Sequence, residues 1–357
     1  MNYKQISSPQ IHKRQSTDRI MQLVLIATLP GALILSYQFG WGVLLNLFIS
    51  TLTCIVTEAL VLKLRHRPIN IHLGDYSAVV TAVLLGLALP PLVPWWVVVT
   101  AAIFSILIAK QLYGGLGSNP FNPAMVGYVV VLISFPVEMT TWVTPISLLP
   151  QGVSHPGLWD SGMIVFAGSV PIDGITGATP LDLFKHSKGL MVEQIYNSNR
   201  LFDNASIAGV GWEWANVAFL IGGLALLKAR IFTWHGPVGM LGSLTLMSML
   251  FWDAGSSSSP GSPLMHLFSG ASMLGAFFII TDPVSSATSN RGRLIYGALI
   301  GLLIYIIRAW GSYPDAVAFA VLLGNFAAPF IDNYTLPRTY GHSQRRRATA
   351  KETDKNV

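Results

Sequence analysis

Ten apolar runs, separated by short polar segments, recur along the chain and constrain its fold more than any single motif does. A helix needs about 20 mostly apolar residues to cross roughly 30 Å of hydrocarbon. The runs cover residues 21–38, 41–62, 76–92, 95–112, 124–137, 207–227, 237–252, 264–280, 294–307 and 316–330. They predict an all-α polytopic membrane protein with about ten transmembrane helices, of which the fifth and ninth are short for a full crossing. Only 11% of the residues are charged, against about a quarter in a soluble domain. That deficit excludes disorder, a nucleic-acid-binding surface and an ordinary cytosolic enzyme. The first run lacks a small-x-small cleavage site and reads as a signal anchor.

Lysine and arginine set the orientation, because cytoplasmic segments carry their excess. With the N-terminus inside, 18 of the 22 basic residues fall on the inner side and four (Lys185, Lys188, Arg200 and Arg308) on the outer side. Both termini are therefore expected in the cytoplasm. The chain divides into a cytoplasmic segment (1–20), a first five-helix half (21–137), a long extracytoplasmic loop (138–206), a second five-helix half (207–332) and a basic cytoplasmic tail (333–357). The tail, with Arg345, Arg346 and Arg347, suits contact with anionic membrane lipid.

Five runs on either side of one loop make equivalent helices antiparallel. A weak internal likeness follows the same division. The third run ends in Leu89-Pro90-Pro91 and the eighth in Thr281-Asp282-Pro283; the fourth ends near Lys110 and a Gly pair, the ninth near Arg308 and Gly311. Two inverted five-helix repeats are expected, with a site at their interface near helices broken by Gly and Pro.

Chemistry-bearing residues are few. One cysteine, Cys54, cannot supply an intrachain disulfide, a four-cysteine iron–sulfur site or a structural zinc site. None of the eight histidines is central in a run, which argues against a haem held by two intramembrane histidines. Glu58 is a charged residue assigned to the interior of a run, and a carboxylate there is either an ion-pathway residue or interfacial. Asp75, Asp282 and Asp315 stand at run ends and read as caps or as water-facing residues.

The outer loop, unusually long for a compact protein, is the first place to look for function. It contains Thr176-Gly177-Ala178-Thr179-Pro180-Leu181-Asp182. Locally this is a helix start: Thr179 suits the N-cap, Pro180 the first turn and Asp182 the third position. Lys185 and Lys188 then suit the far end, and Gly189 the stop. The same features describe a phosphate site, since the hydroxyl beside Gly177 and Ala178 is sterically open and helix N-termini favour phosphoryl groups.

The segment resembles the flavinylation motif of the D subunits of Rnf ion-translocating electron transport complexes, and of the homologous B subunits of sodium-pumping NADH:quinone reductases. Thr176 stands where Ser is more common. Residues 114–124, around Asn119-Pro120-Phe121-Asn122-Pro123-Ala124, are similar to the family's inner loop, and Thr281-Asp282-Pro283-Val284 to its segment after the eighth span. The likeness extends from about residue 20 to 335, and the Pro-Leu-Asp after Thr179 favours the Rnf branch. Asn122-Pro123-Ala124 also occurs in aquaporins, but these use two copies and about six spans.

This resemblance implies FMN joined to Thr179 by a phosphoester, with Thr176, Gly177, Ala178, Pro180 and Asp182 as supporting motif residues. It implies a second, noncovalent flavin such as riboflavin near Asn119, Asn122 and Asp282, where helix capping is the competing reading. The implied setting is a bacterial inner membrane, with the flavinylated loop periplasmic, NADH or ferredoxin as donor, and sodium ions or protons moved. The implied partners are the other subunits, including a second flavinylated one, and a flavin transferase using FAD. The rival expectation is a cofactor-free transporter or channel on the same scaffold.

Overall fold

The computed structural model describes residues 16–150, 152–168, 174–187, 189–203, 205 and 207–335. The first fifteen residues, Lys188 and the basic tail from Arg338 lie outside the described residues.

Each of the ten apolar runs is helical. Among the described residues, four helices are long and apolar enough to cross a membrane by themselves: Thr17–Phe39, Gly42–Leu64, Asn290–Trp310 and Val317–Thr335. The ninth run is thus longer than expected. Its first turn is built from the polar residues Asn290, Arg291 and Arg293 and is capped by Ser289, whose Oγ accepts from Gly292 N at 2.9 Å. Hydropathy alone left these residues out. The fifth run stays short, Pro123–Ser134, because Phe135-Pro136 ends it.

Two runs are composite. The fourth passes from α-helix (Trp95–Ile103) into a π-helical stretch, Phe104–Gln111. The eighth is broken near its start: Pro263–Phe268 is separated from Ser272–Leu274 by Ser269-Gly270-Ala271, and a π-helical stretch, Gly275–Ile279, follows. The break was expected near Asp282, at the other end of the run. It falls at Gly270, which adopts φ 57 and so turns the chain where most residues are strained. The third run repeats the design: a short helix (Ile69–Leu73), left-handed Tyr76 (φ 58), then Ser77–Ala88.

The principal contacts between the halves pair the first helix with the sixth (Trp212–Lys228), and the fifth with the tenth. The described residues of 138–206 depart from an all-α plan at one point. Trp142–Val143 pairs antiparallel with Thr176–Gly177, placing Trp142 opposite Gly177. The rest of this region carries the helices Leu158–Ala167, Pro180–His186 and Val192–Ser198. Leu181, Phe184, Val192, Ile195 and Phe202 form a small core of their own, joined to the eighth run through Met265.

Candidate functional site

Each residue of the threonine motif has a separate local task. Thr176 holds the strand pairing through its backbone. A Cβ on Gly177 would lie 2.8 Å from Thr144 Oγ1, so the tight crossing suits glycine. Ala178 is exposed and leaves the approach to its neighbour open. Thr179 is the N-cap of Pro180–His186, with extended backbone (φ −74, ψ 161). Its Oγ1 accepts from Asp182 N at 3.2 Å and donates to Asp182 Oδ2 at 2.6 Å, and its own N–H donates to the same carboxylate oxygen at 3.2 Å. This reciprocal capping box satisfies both ends of the turn. Pro180 is buried in the first helical position, where its missing N–H costs nothing.

The far end of this short helix is tied to the membrane bundle. Lys185 Nζ donates to the carbonyls of Tyr313 (2.8 Å), Ile307 (3.2 Å) and Arg308 (3.3 Å). It therefore caps the C-terminal end of the ninth helix, where the helix dipole favours a cation.

Thr179 and Asp182 stand on the wall of a cavity that runs into the bundle between Tyr128, Trp142, Trp212 and Phe219. Its base reaches Met125 and Ile279. Trp142 and Trp212 meet edge-on at 4.8 Å, and both pack on Phe39. Such walls offer flat apolar surface with a polar mouth, the usual character of a small-molecule site.

A second cavity, of about 230 Å³, opens at the other end of the bundle. It brings Asn119, Asn122 and Asp282 together, as expected from the sequence, and adds Ser77, Lys110 and Tyr296. The two asparagines differ. Asn122 caps the fifth helix, accepting from Met125 N at 3.3 Å, and donates to Ile279 O at 3.3 Å. Asn119 caps no helix: it donates to Phe121 O at 3.1 Å, while its buried Oδ1 has no protein partner. An unpartnered buried acceptor in a cavity wall is where a ligand N–H would be held. Asp282 accepts from Ser285 Oγ (2.7 Å) and turns the chain after the eighth run.

Sequence reading missed two ion pairs, one of them buried at both ends. Glu58 is 1% exposed, buried within the protein. Its partner is not nearby Lys63 or Arg65 but Lys110, at 2.6 and 2.8 Å, and Lys110 also donates to Ser77 Oγ at 2.6 Å. Lys110 is itself buried and is no loop charge. Its place at the end of an apolar run was the available signal. At the other end of the bundle, Arg308 donates to Asp315 Oδ1 (2.9 Å), Ser272 Oγ (3.0 Å) and His266 O (2.8 Å). Asp315 also accepts from the backbone of Ala271 and Ala316. Burial acts to raise its carboxyl, but Arg308 and these N–H groups outweigh it and hold the group below the usual carboxylate range. Asp315 and Gly270 line the Thr179 cavity. The broken eighth run and the flavinylation-like motif therefore share one wall.

The profile of the NQR2, RnfD, RnfE family matches residues 4–341. The chain is 56% identical over 345 residues to the D subunit of the ion-translocating oxidoreductase complex of Cellvibrio japonicus, covering 96% of each chain. It is 54% identical to the protein of the same name from Ectopseudomonas mendocina, over 96% of this chain and 97% of the relative. The likeness to that from Pseudomonas aeruginosa is 53%, over 96% of each.

Proposed function

The chain belongs to the NQR2, RnfD, RnfE family, and from that membership we propose that it is a multi-pass subunit of a redox-driven ion-translocating complex, carrying FMN on Thr179. The observation that carries the reading is the placement of the Thr179 hydroxyl. It stands at a helix N-terminus, beside exposed Ala178, on the wall of an aromatic cavity entering the bundle. FMN held there would supply one- and two-electron transfer, and the protein would contribute distance, orientation and electrostatics. Thr179 would hold the phosphate, with Trp142, Trp212 and Phe219 beside the ring. A second flavin, such as riboflavin, would lie in the opposite cavity, where Asn119 offers its free carbonyl oxygen.

In this reading ten helices cross a bacterial inner membrane as two inverted repeats. The pairing of first with sixth and fifth with tenth helices supports such symmetry. Both termini are cytoplasmic and the Thr179 loop is periplasmic. The ion moved is sodium or a proton. The partners are the other subunits, one also flavinylated, and an FAD-dependent transferase that loads Thr179. The test is a denaturing gel of protein co-expressed with that transferase. A fluorescent band, and one FMN-phosphate mass on the Thr179 peptide, are expected. A dark band with an unmodified peptide would instead favour a cofactor-free transporter.

A further inference from the structure

Thr179 must lose its hydroxyl proton when it is modified, and the chain places a base for it. Thr179 Oγ1 and Asp182 Oδ2 are 2.6 Å apart, within the range of a hydrogen bond from a hydroxyl to a carboxylate. We propose that Asp182 is the general base of the modification of Thr179, so that the acceptor protein supplies a catalytic group for its own flavin loading. This rests on the reading that Thr179 receives FMN from FAD.

In the transfer, Thr179 Oγ1 attacks the FMN-side phosphorus of FAD, and the bond between that phosphorus and the bridging oxygen breaks. AMP leaves with the bridging oxygen. The hydroxyl proton passes to Asp182 and from there to water, and no electrons change hands. Aspartate is suited to the task, because a carboxylate accepting the proton of an attacking hydroxyl recurs in phosphoryl transfer. The capping box fixes the geometry. Asp182 Oδ2 also accepts from Thr179 N at 3.2 Å, and Asp182 N donates to Thr179 Oγ1 at 3.2 Å. The carboxylate is thus locked on one side of the hydroxyl oxygen. The other side is open, next to exposed Gly177 and Ala178. Capping alone would be served as well by asparagine or serine at the third position; removing a proton would not.

The experiment loads purified full-length chain, in detergent, with a flavin transferase and FAD, and follows the Thr179 peptide mass against time. Asp182→Asn keeps an oxygen that accepts from Thr179 N but is no base, and should slow loading by about 100-fold or more. Asp182→Ala should be as slow, and added formate should restore part of its rate. Asp182→Asn loading at the wild-type rate, or an Asp182→Ala rate indifferent to formate, would reduce Asp182 to a cap and overturn the inference. Failure of the wild-type chain to load would instead remove the FMN reading itself, and this inference with it.

Discussion

Lys110 and Arg308 end the fourth and ninth helices, and each donates to the hydroxyl that restarts a helix after a chain break: Lys110 to Ser77 at 2.6 Å, Arg308 to Ser272 at 3.0 Å. Each also holds a carboxylate, Glu58 and Asp315. Ser77 lines the cavity with Asn119, and Asp315 the one with Thr179, so the two devices sit at opposite ends of the bundle. The same arrangement at opposite ends is what an inverted repeat produces, with broken helices facing the site from either side.

The Lys110–Glu58 pair gives the first prediction. Both groups are almost fully buried, and removing one partner leaves an uncompensated charge in an apolar interior. Lys110→Met should destabilise the protein by about 3–5 kcal/mol, seen as a fall in thermal transition temperature in detergent. Adding Glu58→Leu should recover much of that loss. A double variant no better than Lys110→Met would show that the carboxylate is held by something other than the lysine.

Thr179→Ala separates chemistry from folding. The cap is worth about 1 kcal/mol, so the variant should fold and insert while losing all covalent flavin. Thr176→Ala should be milder, because Thr176 acts through backbone pairing with Val143. Covalent flavin retained in Thr179→Ala would move the attachment to another residue.

Lys185 should matter for the position of the motif rather than for its chemistry. Lys185→Met removes the ammonium donor from three carbonyls, of which Ile307 O keeps the N–H of Gly311, at a cost of about 1–3 kcal/mol. The expected readout is faster proteolysis within Pro180–His186, partly restored by Lys185→Arg. Unchanged proteolysis would mean that the Leu181–Phe184 packing holds the helix alone.

The N-cap at Thr179 was legible because it depends on neighbouring residues, and so was the helical nature of every apolar run; the return bond from Thr179 N to Asp182 was seen only in the structure. The partner of Glu58 was not. Lys110 is distant in sequence, and nothing local in an apolar run says which buried charge it meets. The break at Gly270 was missed for a similar reason. A Gly within an apolar run reads as a packing residue until the Arg308–Asp315 pair, reached only in three dimensions, shows what holds the chain open there. Asn122 fulfilled the cap expected of an Asn-Pro step, whereas Asn119, in the same local context, did not.

Orientation is tested by thiol labelling in a Cys54→Ser background. Ser187→Cys lies beyond the Thr179 helix, and Ser118→Cys is exposed beside Asn119. An impermeant maleimide should label position 187 in intact cells and position 118 only after permeabilisation. The reverse pattern would put the Thr179 loop in the cytoplasm.

The last prediction concerns electron passage between the two faces. Thr179 and the 119–122 loop belong to cavities at opposite ends, and roughly 30 Å of hydrocarbon is far for a single hop. The cavities shorten it. Met125 and Ile279 line the first, while their chain neighbours Ala124 and Ile280 line the second. The two cavities therefore approach each other across adjacent residues of the fifth and eighth runs. Thr179→Ala protein, purified natively and precipitated with acid, should release about one riboflavin per chain. Changing Asn119 and Asn122 to Leu in that background should abolish the release while folded protein survives, at a cost of about 1 kcal/mol for the Asn122 cap and about 1–3 kcal/mol for its bond to Ile279 O. Little or no flavin from the Thr179→Ala protein would leave the asparagines as structural residues and pass the bridging task to other subunits.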